Sequence, residues 1–271
     1  MLTYDSSTLR KIQMIQLEML IEVDRICRKC GIHYNIIAGT LLGAVRHGGF
    51  IPWDDDADVA LLRSEYDKFV SVLPMELDTD RFYFQDHRTT PGYRWGYGKL
   101  RRKGSLFLRE HQEHMPYEQG IFIDIFPLDQ VPENRFSRIF KNLECFFVRK
   151  ILYSPVGKIS EKKHLKKAIY ALLSKFPDEA VFKYYERMIR QASVLQSSMV
   201  RILMFPTPND SYMYLTKWYE ISSDIQFEGY TFSGIRDWDE YLTFKFGDYR
   251  TPPPESQRKT HPVSQLIVPE D

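Results

Sequence analysis

The sequence predicts an α/β (α+β) fold, a mixed sheet flanked by helices and followed by a mainly helical region. Three observations carry this reading. Stretches with apolar residues every three or four positions alternate with short apolar runs bounded by Gly and Pro as far as about residue 135. From about Ser137 to Leu203 helical spacing dominates. A last segment is mixed in character and ends in a Pro-rich tail, Thr251 to Asp271, expected to wrap the surface. The predicted division is a core at 1–135, a mainly helical region at 136–215, and a segment at 216–271 that packs back on the core.

The elements follow in order. Ser6 and Ser7 are expected N-caps of a long helix, because Ile12, Ile15, Met19, Val23, Ile26 and Cys30 recur at helical spacing and Gly31 ends the pattern. His33 to Ala38 reads as a strand, Gly39-Thr40 as a tight turn, and Leu41 to His47 as a second helix. After Gly48-Gly49 the run Asp54-Asp55-Asp56-Ala57-Asp58 passes from an acidic loop into the apolar strand Val59 to Leu62, and Ser64 to Leu73 resumes helical periodicity. A strand pair is expected between Phe82 and Leu108, and a further strand, Ile121 to Phe126, is expected to stop at Pro127.

Composition narrows the function. Thirty-seven basic residues nearly cancel 36 acidic ones in this chain of 271, so no overall field concentrates nucleic acid, and no nucleic-acid partner is expected. No apolar run reaches the roughly 18 residues of a membrane span, the first residues lack a signal-peptide layout, and three cysteines make no disulfide framework. A cytoplasmic location with reduced thiols is the expectation.

Chemistry concentrates on the acidic strand. Alternation along a strand sends Asp56 and Asp58 to one side while Ala57 and Val59 face the core. Two carboxylates at one spot repel unless a cation sits between them, and oxygen ligands of this kind suit Mg2+ or Mn2+ bridged to phosphates. Asp124, a lone acid in Ile-Phe-Ile-Asp-Ile-Phe, offers a third carboxylate, as metal ligand or as general base. The three are the candidate catalytic and metal-binding residues. Amides at Gly39 and Thr40 open a helix where phosphate binds well, and Arg46 lies one to two turns further along it. Lys99 and Arg101 fall on one face of a strand, either against substrate phosphates or as charges on a solvated edge. Cys27 and Cys30 fit the apolar face of the first helix better than a zinc site, and His111 and His114 read as a solvated loop. The basic stretch Lys158 to Lys175 reads as an amphipathic helix packed on the domain, with peripheral contact to an anionic membrane as its other use.

The blocks Ala38-Gly39-Thr40-Leu41-Leu42-Gly43-Ala44-Val45-Arg46-His47, Gly49-Phe50-Ile51-Pro52-Trp53-Asp54-Asp55-Asp56-Ala57-Asp58 and Gly120-Ile121-Phe122-Ile123-Asp124-Ile125-Phe126-Pro127-Leu128-Asp129 resemble the LicD proteins, with the fukutin-related proteins as distant relatives. A fourth block comprises Tyr241-Leu242, Phe246 to Tyr249, Pro252-Pro253 and His261, which makes His261 a substrate-binding candidate beside Gly39, Thr40, Arg46, Lys99 and Arg101. The resemblance implies a nucleotidyltransferase-like fold. It also implies transfer of phosphocholine, or a related phospho-alcohol, from a CDP-activated donor to a sugar hydroxyl of a cell-surface glycan precursor, free or polyprenyl-linked, such as lipopolysaccharide or teichoic acid. CMP is the released product, and the site would lie at the inner face of the plasma membrane. A nucleotidyltransferase using an NTP, and an inactive glycan-assembly scaffold, are the alternatives.

Overall fold

In the computed structural model, residues 4–205, 213–258 and 260–269 are described; the parts of the expected helical region and tail at 206–212, 259, 270 and 271 lie outside them. The chain runs α1 (Ser6–Cys30), β1 (Asn35–Ile36), α2 (Ala38–His47), β2 (Asp58–Leu62), α3 (Arg63–Glu76), β3 (Phe82–Gln85), β4 (Gly98–Arg102), β5 (Leu106–Arg109), β6 (Phe122–Gln130), α4 (Arg135–Ser160), α5 (His164–Leu173), α6 (Asp178–Ser193), β7 (Met199–Arg201), β8 (Tyr214–Leu215), α7 (Lys217–Glu220), β9 (Ser222–Phe227), β10 (Tyr230–Ile235), α8 (Trp238–Phe246) and β11 (Val263–Ile267). The fold is mixed α/β, as the sequence predicts.

The main sheet has the order β3-β4-β6-β2-β1-β10-β9, with β7 and β8 continuing from the far end of β6. It is mixed: β2 and β6 run parallel, as do β1 and β10, and the other neighbours are antiparallel. Its middle strands β6 and β2 are buried and mainly apolar, as helix-covered strands are, and the charged residues they carry stand out. Helix α1 buries Ile12, Met19, Val23 and Ile26 against this sheet, touching β4, β6 and α3. Truncating one such residue to Ala costs about 2–5 kcal/mol. A second apolar cluster lies outside that core, where α4 and α6 enclose Cys145, Leu152, Tyr185 and Met188.

Several boundaries differ from expectation, each for a local reason. The N-cap of α1 is Asp5, not Ser6 or Ser7, because its carboxylate accepts the Thr8 amide at 2.7 Å. Gly31 ends the helix as expected, with φ 59°. The first strand shrinks to Asn35–Ile36, and α2 starts at Ala38, so Gly39 and Thr40 form its first turn and no separate turn precedes it. The chain reverses at Ala38 itself, which has φ 48°, a strained value for a non-glycine residue beside a site.

Strand β6 does not stop at Pro127 but continues to Gln130. The Asp124 amide donates toward β2, to Ala57 O at 2.8 Å, so alternation turns position 127 to the other side. There β4 has already ended at Gly98, opposite Ile125, and no ladder donor is needed from Pro127. The C-terminal segment is also more than a surface tail: Val263–Ile267 forms β11, paired antiparallel with β5. Lys99 and Arg101 lie on an interior strand, between β3 and β6, and both are buried, so the solvated-edge reading fails.

Candidate active site

Register places the site. Asp58 at the start of β2 lies directly opposite Asp124 on parallel β6, and Asp124 lies opposite Lys99 on antiparallel β4. Cross-strand partners share a face, so Lys99, Asp124 and Asp58 form one transverse row. The Lys99 ammonium is bonded directly to an Asp124 carboxylate oxygen and stands 3.4 Å from the centre of the Phe122 ring. Burial pulls Lys99 down to about 8 despite the neighbouring carboxylate.

The acidic loop leading into β2 is held by its backbone. Two buried glutamines one helical turn apart on α1 clamp it: Gln13 Nε2 donates to Asp54 O at 2.9 Å, and Gln16 Nε2 donates to Asp55 O at 2.7 Å. The Asp58 amide donates to the buried Thr40 hydroxyl at 2.8 Å, which ties the carboxylate strand to the first turn of α2. Gly39 sits so close that an added Cβ would stand 2.6 Å from an Asp54 oxygen. Only a hydrogen fits there.

Asp56, Asp58 and Asp124 each bring a carboxylate oxygen within 4.8 Å of the others, and Asp54, Asp55 and Asp56 form a second such group. Burial, then the charges of Asp56 and Asp124, push the Asp58 carboxyl well above the usual range; burial and Asp56 do the same to Asp54. Carboxylates crowded like this repel one another, and a cation among them would relieve that repulsion. An all-oxygen donor set at this spacing fits a hard divalent cation.

Asp55 behaves differently. Burial alone would raise it, but donors from His261 and Tyr4 outweigh burial and hold it below its ordinary value. Its two oxygens accept the His261 backbone amide at 2.8 Å and ring Nδ1 at 2.9 Å, and the Tyr4 hydroxyl at 2.5 Å. An ionised carboxylate can only accept, so Nδ1 carries a proton toward Asp55, and the other ring nitrogen is Nε2. That nitrogen lies 3.6 Å from an Asp56 oxygen. Gln13, Gln16 and Tyr4 belong to no motif in the sequence, and Asp55 is there one more acid in the loop.

Two cavities meet at Asp56 and Asp58. The larger, about 880 Å3, is lined by Asp124, Lys99, Arg101 and His261, by Arg109, and by Trp95, Tyr97, Tyr153 and Tyr170. The smaller, about 340 Å3, lies against the start of α2, with Gly39, Asp54, Trp53, Phe246 and Lys245. Arg101 fills part of the wall by donating to Gln85 and to the Gly120 carbonyl. Arg46 is not brought to the carboxylates. It sits in the last turn of α2, donates to Tyr249 O at 2.7 Å, and lines neither cavity. Cys27 is in the core of α1, and His111 and His114 are exposed in a loop.

Comparison with known proteins agrees with this geometry. Residues 31–160, which carry α2, the acidic loop, β2 and β6, match the family model described as LicD/FKTN/FKRP, nucleotidyltransferase domain. The chain is 29% identical over 266 residues to the lipopolysaccharide cholinephosphotransferase LicD of Haemophilus influenzae, covering 96% of this chain and 98% of that protein. Shorter matches reach uncharacterized proteins of Rickettsia prowazekii (29% over 119 residues, 44% of this chain and 41% of that one) and Rickettsia typhi (40% over 57 residues, 21% and 18%). With the acid row, the clamped loop and the α2 turn all inside the matched region, and one relative aligned along nearly its whole length, residues 31–160 belong to the LicD family's nucleotidyltransferase domain.

Proposed function

We propose that this protein transfers phosphocholine, or a related phospho-alcohol, from a CDP-activated donor to a sugar hydroxyl of a lipopolysaccharide or other cell-surface glycan precursor. The observation that carries the reading is the meeting of two cavities at one carboxylate cluster, since group transfer needs two substrates on either side of one charged centre. The cholinephosphotransferase activity named for the Haemophilus relative supplies the substrate class.

In this reading the CMP half of the donor occupies the smaller cavity, its phosphates on the α2 first turn at Gly39 and its base beside Trp53 and Phe246, with Lys245 adding positive charge. The acceptor glycan occupies the larger cavity, whose aromatic walls suit sugar faces. Asp56, Asp58 and Asp124 would hold Mg2+ or Mn2+, which supplies charge neutralisation for the donor pyrophosphate and the leaving CMP. Lys99 fixes the orientation of Asp124, which favours the ligand role for that residue, and with Arg101 it adds positive charge facing the phosphoryl group. The acceptor hydroxyl gives its proton to Nε2 of His261, its oxygen bonds to the phosphorus of the phosphocholine, and the P–O bond to CMP breaks. Asp55 orients the imidazole and stabilises it once charged. Thr40 acts through Asp58, and Arg46 through Tyr249, so neither touches substrate. The core at 1–135 thus carries the acids, the region at 136–215 walls the acceptor cavity, and the segment at 216–271 brings His261 and Lys245.

The test is product analysis with a panel of CDP-choline, CDP-ethanolamine, CDP-glycerol and CDP-ribitol, Mg2+ and lipopolysaccharide lacking phosphocholine. Release of CMP with a matching mass gain on the glycan, absent in Asp58→Asn, is expected. Pyrophosphate release from an NTP would move the assignment to nucleotidyl transfer. Equal glycan binding by both forms with no turnover of any donor would leave a scaffold.

A further inference from the structure

Helices α4 and α5 carry an apolar surface that the fold does not use. The first half of α4 is apolar on opposite sides. Cys145 and Val148 enter the second core, whereas Phe136, Phe140, Leu143 and Phe147 recur at spacings of three, four and seven on the outward side. Helix α5 has no buried residue at all, and its outward stripe is Leu165, Ile169 and Leu172, continued by Phe176. Phe136, Phe140, Phe147, Leu165 and Leu172 are each 61–76% exposed, which for large side chains set in line is far from scattered surface apolarity. The two stripes join, because Phe147 and Phe176 line one shallow groove between α4 and α6.

Charge identifies the occupant. Residues 162–177 contain five lysines, Lys162, Lys163, Lys166, Lys167 and Lys175, and no acid. Glu161, just past the end of α4, stands 3.9 Å from Lys166. An apolar stripe bordered by lysines matches the headgroup boundary of an anionic bilayer. A protein partner or a second copy would need acids to answer those lysines, and the lysine-rich face of α5 offers none to itself. No helix among the described residues is long and apolar enough to cross a membrane.

We propose that the α4–α5 surface seats the protein on an anionic lipid bilayer, with the aromatic stripe of α4 and the Leu165–Phe176 stripe in the acyl boundary. The same elements wall the larger cavity from the inside: Lys150, Tyr153, Lys162, Lys163 and Tyr170 line it. Docking therefore sets the acceptor side of the carboxylate cluster at the membrane surface, where a lipid-borne glycan presents its sugar. That consequence rests on the proposed transferase reading; the membrane contact does not.

The test measures binding without turnover. The full chain is floated or sedimented with vesicles of phosphatidylglycerol and phosphatidylethanolamine, and in parallel with pure phosphatidylcholine. Binding to the anionic vesicles, weakened by salt, is expected. Lys166→Ala with Lys167→Ala, neither of which lines a cavity, should weaken it about 30-fold. Phe140→Asp with Leu172→Asp should abolish it while thermal unfolding and CMP release with a soluble acceptor stay as in the wild type. Absent vesicle binding, or binding equal in all variants, overturns the proposal. Self-association in solution that Phe140→Asp with Leu172→Asp removes, with no lipid binding, assigns the face to a second copy and overturns it as well.

Discussion

Thr40 offers a test of how the carboxylate strand is held. Its hydroxyl is buried and accepts the Asp58 amide at 2.8 Å. Asp58 is paired with Asp124 on the β6 side, where the ladder runs through the Asp124 amide and Ala57 O. Its own amide points the other way, toward Thr40. Thr40→Val keeps the shape and removes the acceptor, leaving a buried N–H unmade, which costs about 1–3 kcal/mol. For a chain of this size about 2 kcal/mol lowers Tm by roughly 4–8 °C. The loss should extend to activity, because a carboxylate displaced by about 1 Å costs on the order of 100-fold in rate. Thr40→Ser, which retains the hydroxyl, should recover most of both. Urea unfolding and CMP release under saturating donor measure the two effects. A Val variant as stable and active as wild type, or a Ser variant no better than Val, refutes the role assigned to this bond.

Other outcomes follow from buried or paired charges. Arg63 and Asp129 form a bidentate pair, both bonds 2.7 Å, with both side chains buried. Arg63→Met should destabilise by about 3–5 kcal/mol by leaving Asp129 uncompensated, and adding Asp129→Asn should restore much of it in a double-mutant cycle. Burial alone would raise the Glu186 carboxyl, but hydrogen bonds from His87 and Arg88 outweigh it and hold Glu186 at about 2 against an ordinary 4.5. Its stabilising effect is complete above pH 4.5 and is lost as pH falls toward 2; since the group is partly exposed, about 1 kcal/mol is expected. Glu186→Gln should flatten the wild-type decline in Tm across that window, and parallel curves would contradict the assignment. His261→Asn should lower kcat by roughly 100-fold with little change in KM. A rise in KM alone would make His261 a binding residue instead.

Much of this architecture was legible in the sequence because the signals were local. The periodicity from Ile12 to Cys30 and the glycine at 31 point to α1, and alternation points to the cluster of Asp56 and Asp58 with Asp124, although Asp56 lies in the loop and β2 begins only at Asp58. What was hidden depended on distant partners. Lys99 reads equally as a phosphate-binding residue and as an edge charge until β4 is known to lie between β3 and β6, and Pro127 reads as a terminator until β4 is seen to end beside it. His261 was marked only through resemblance, and its bond to Asp55 spans 206 positions. Gln13 and Gln16 carried no motif, since clamping a loop carbonyl asks only for an amide at the right place on a helix.

The central claim is that Asp56, Asp58 and Asp124 form one divalent-cation site between the two cavities. Titration with Mn2+ followed by electron paramagnetic resonance tests it directly in the absence of any substrate. The account expects saturable binding by the wild type, competed by Mg2+, and loss of that binding in Asp58→Asn with the fold intact by circular dichroism. Undiminished Mn2+ binding by a folded Asp58→Asn chain would contradict it.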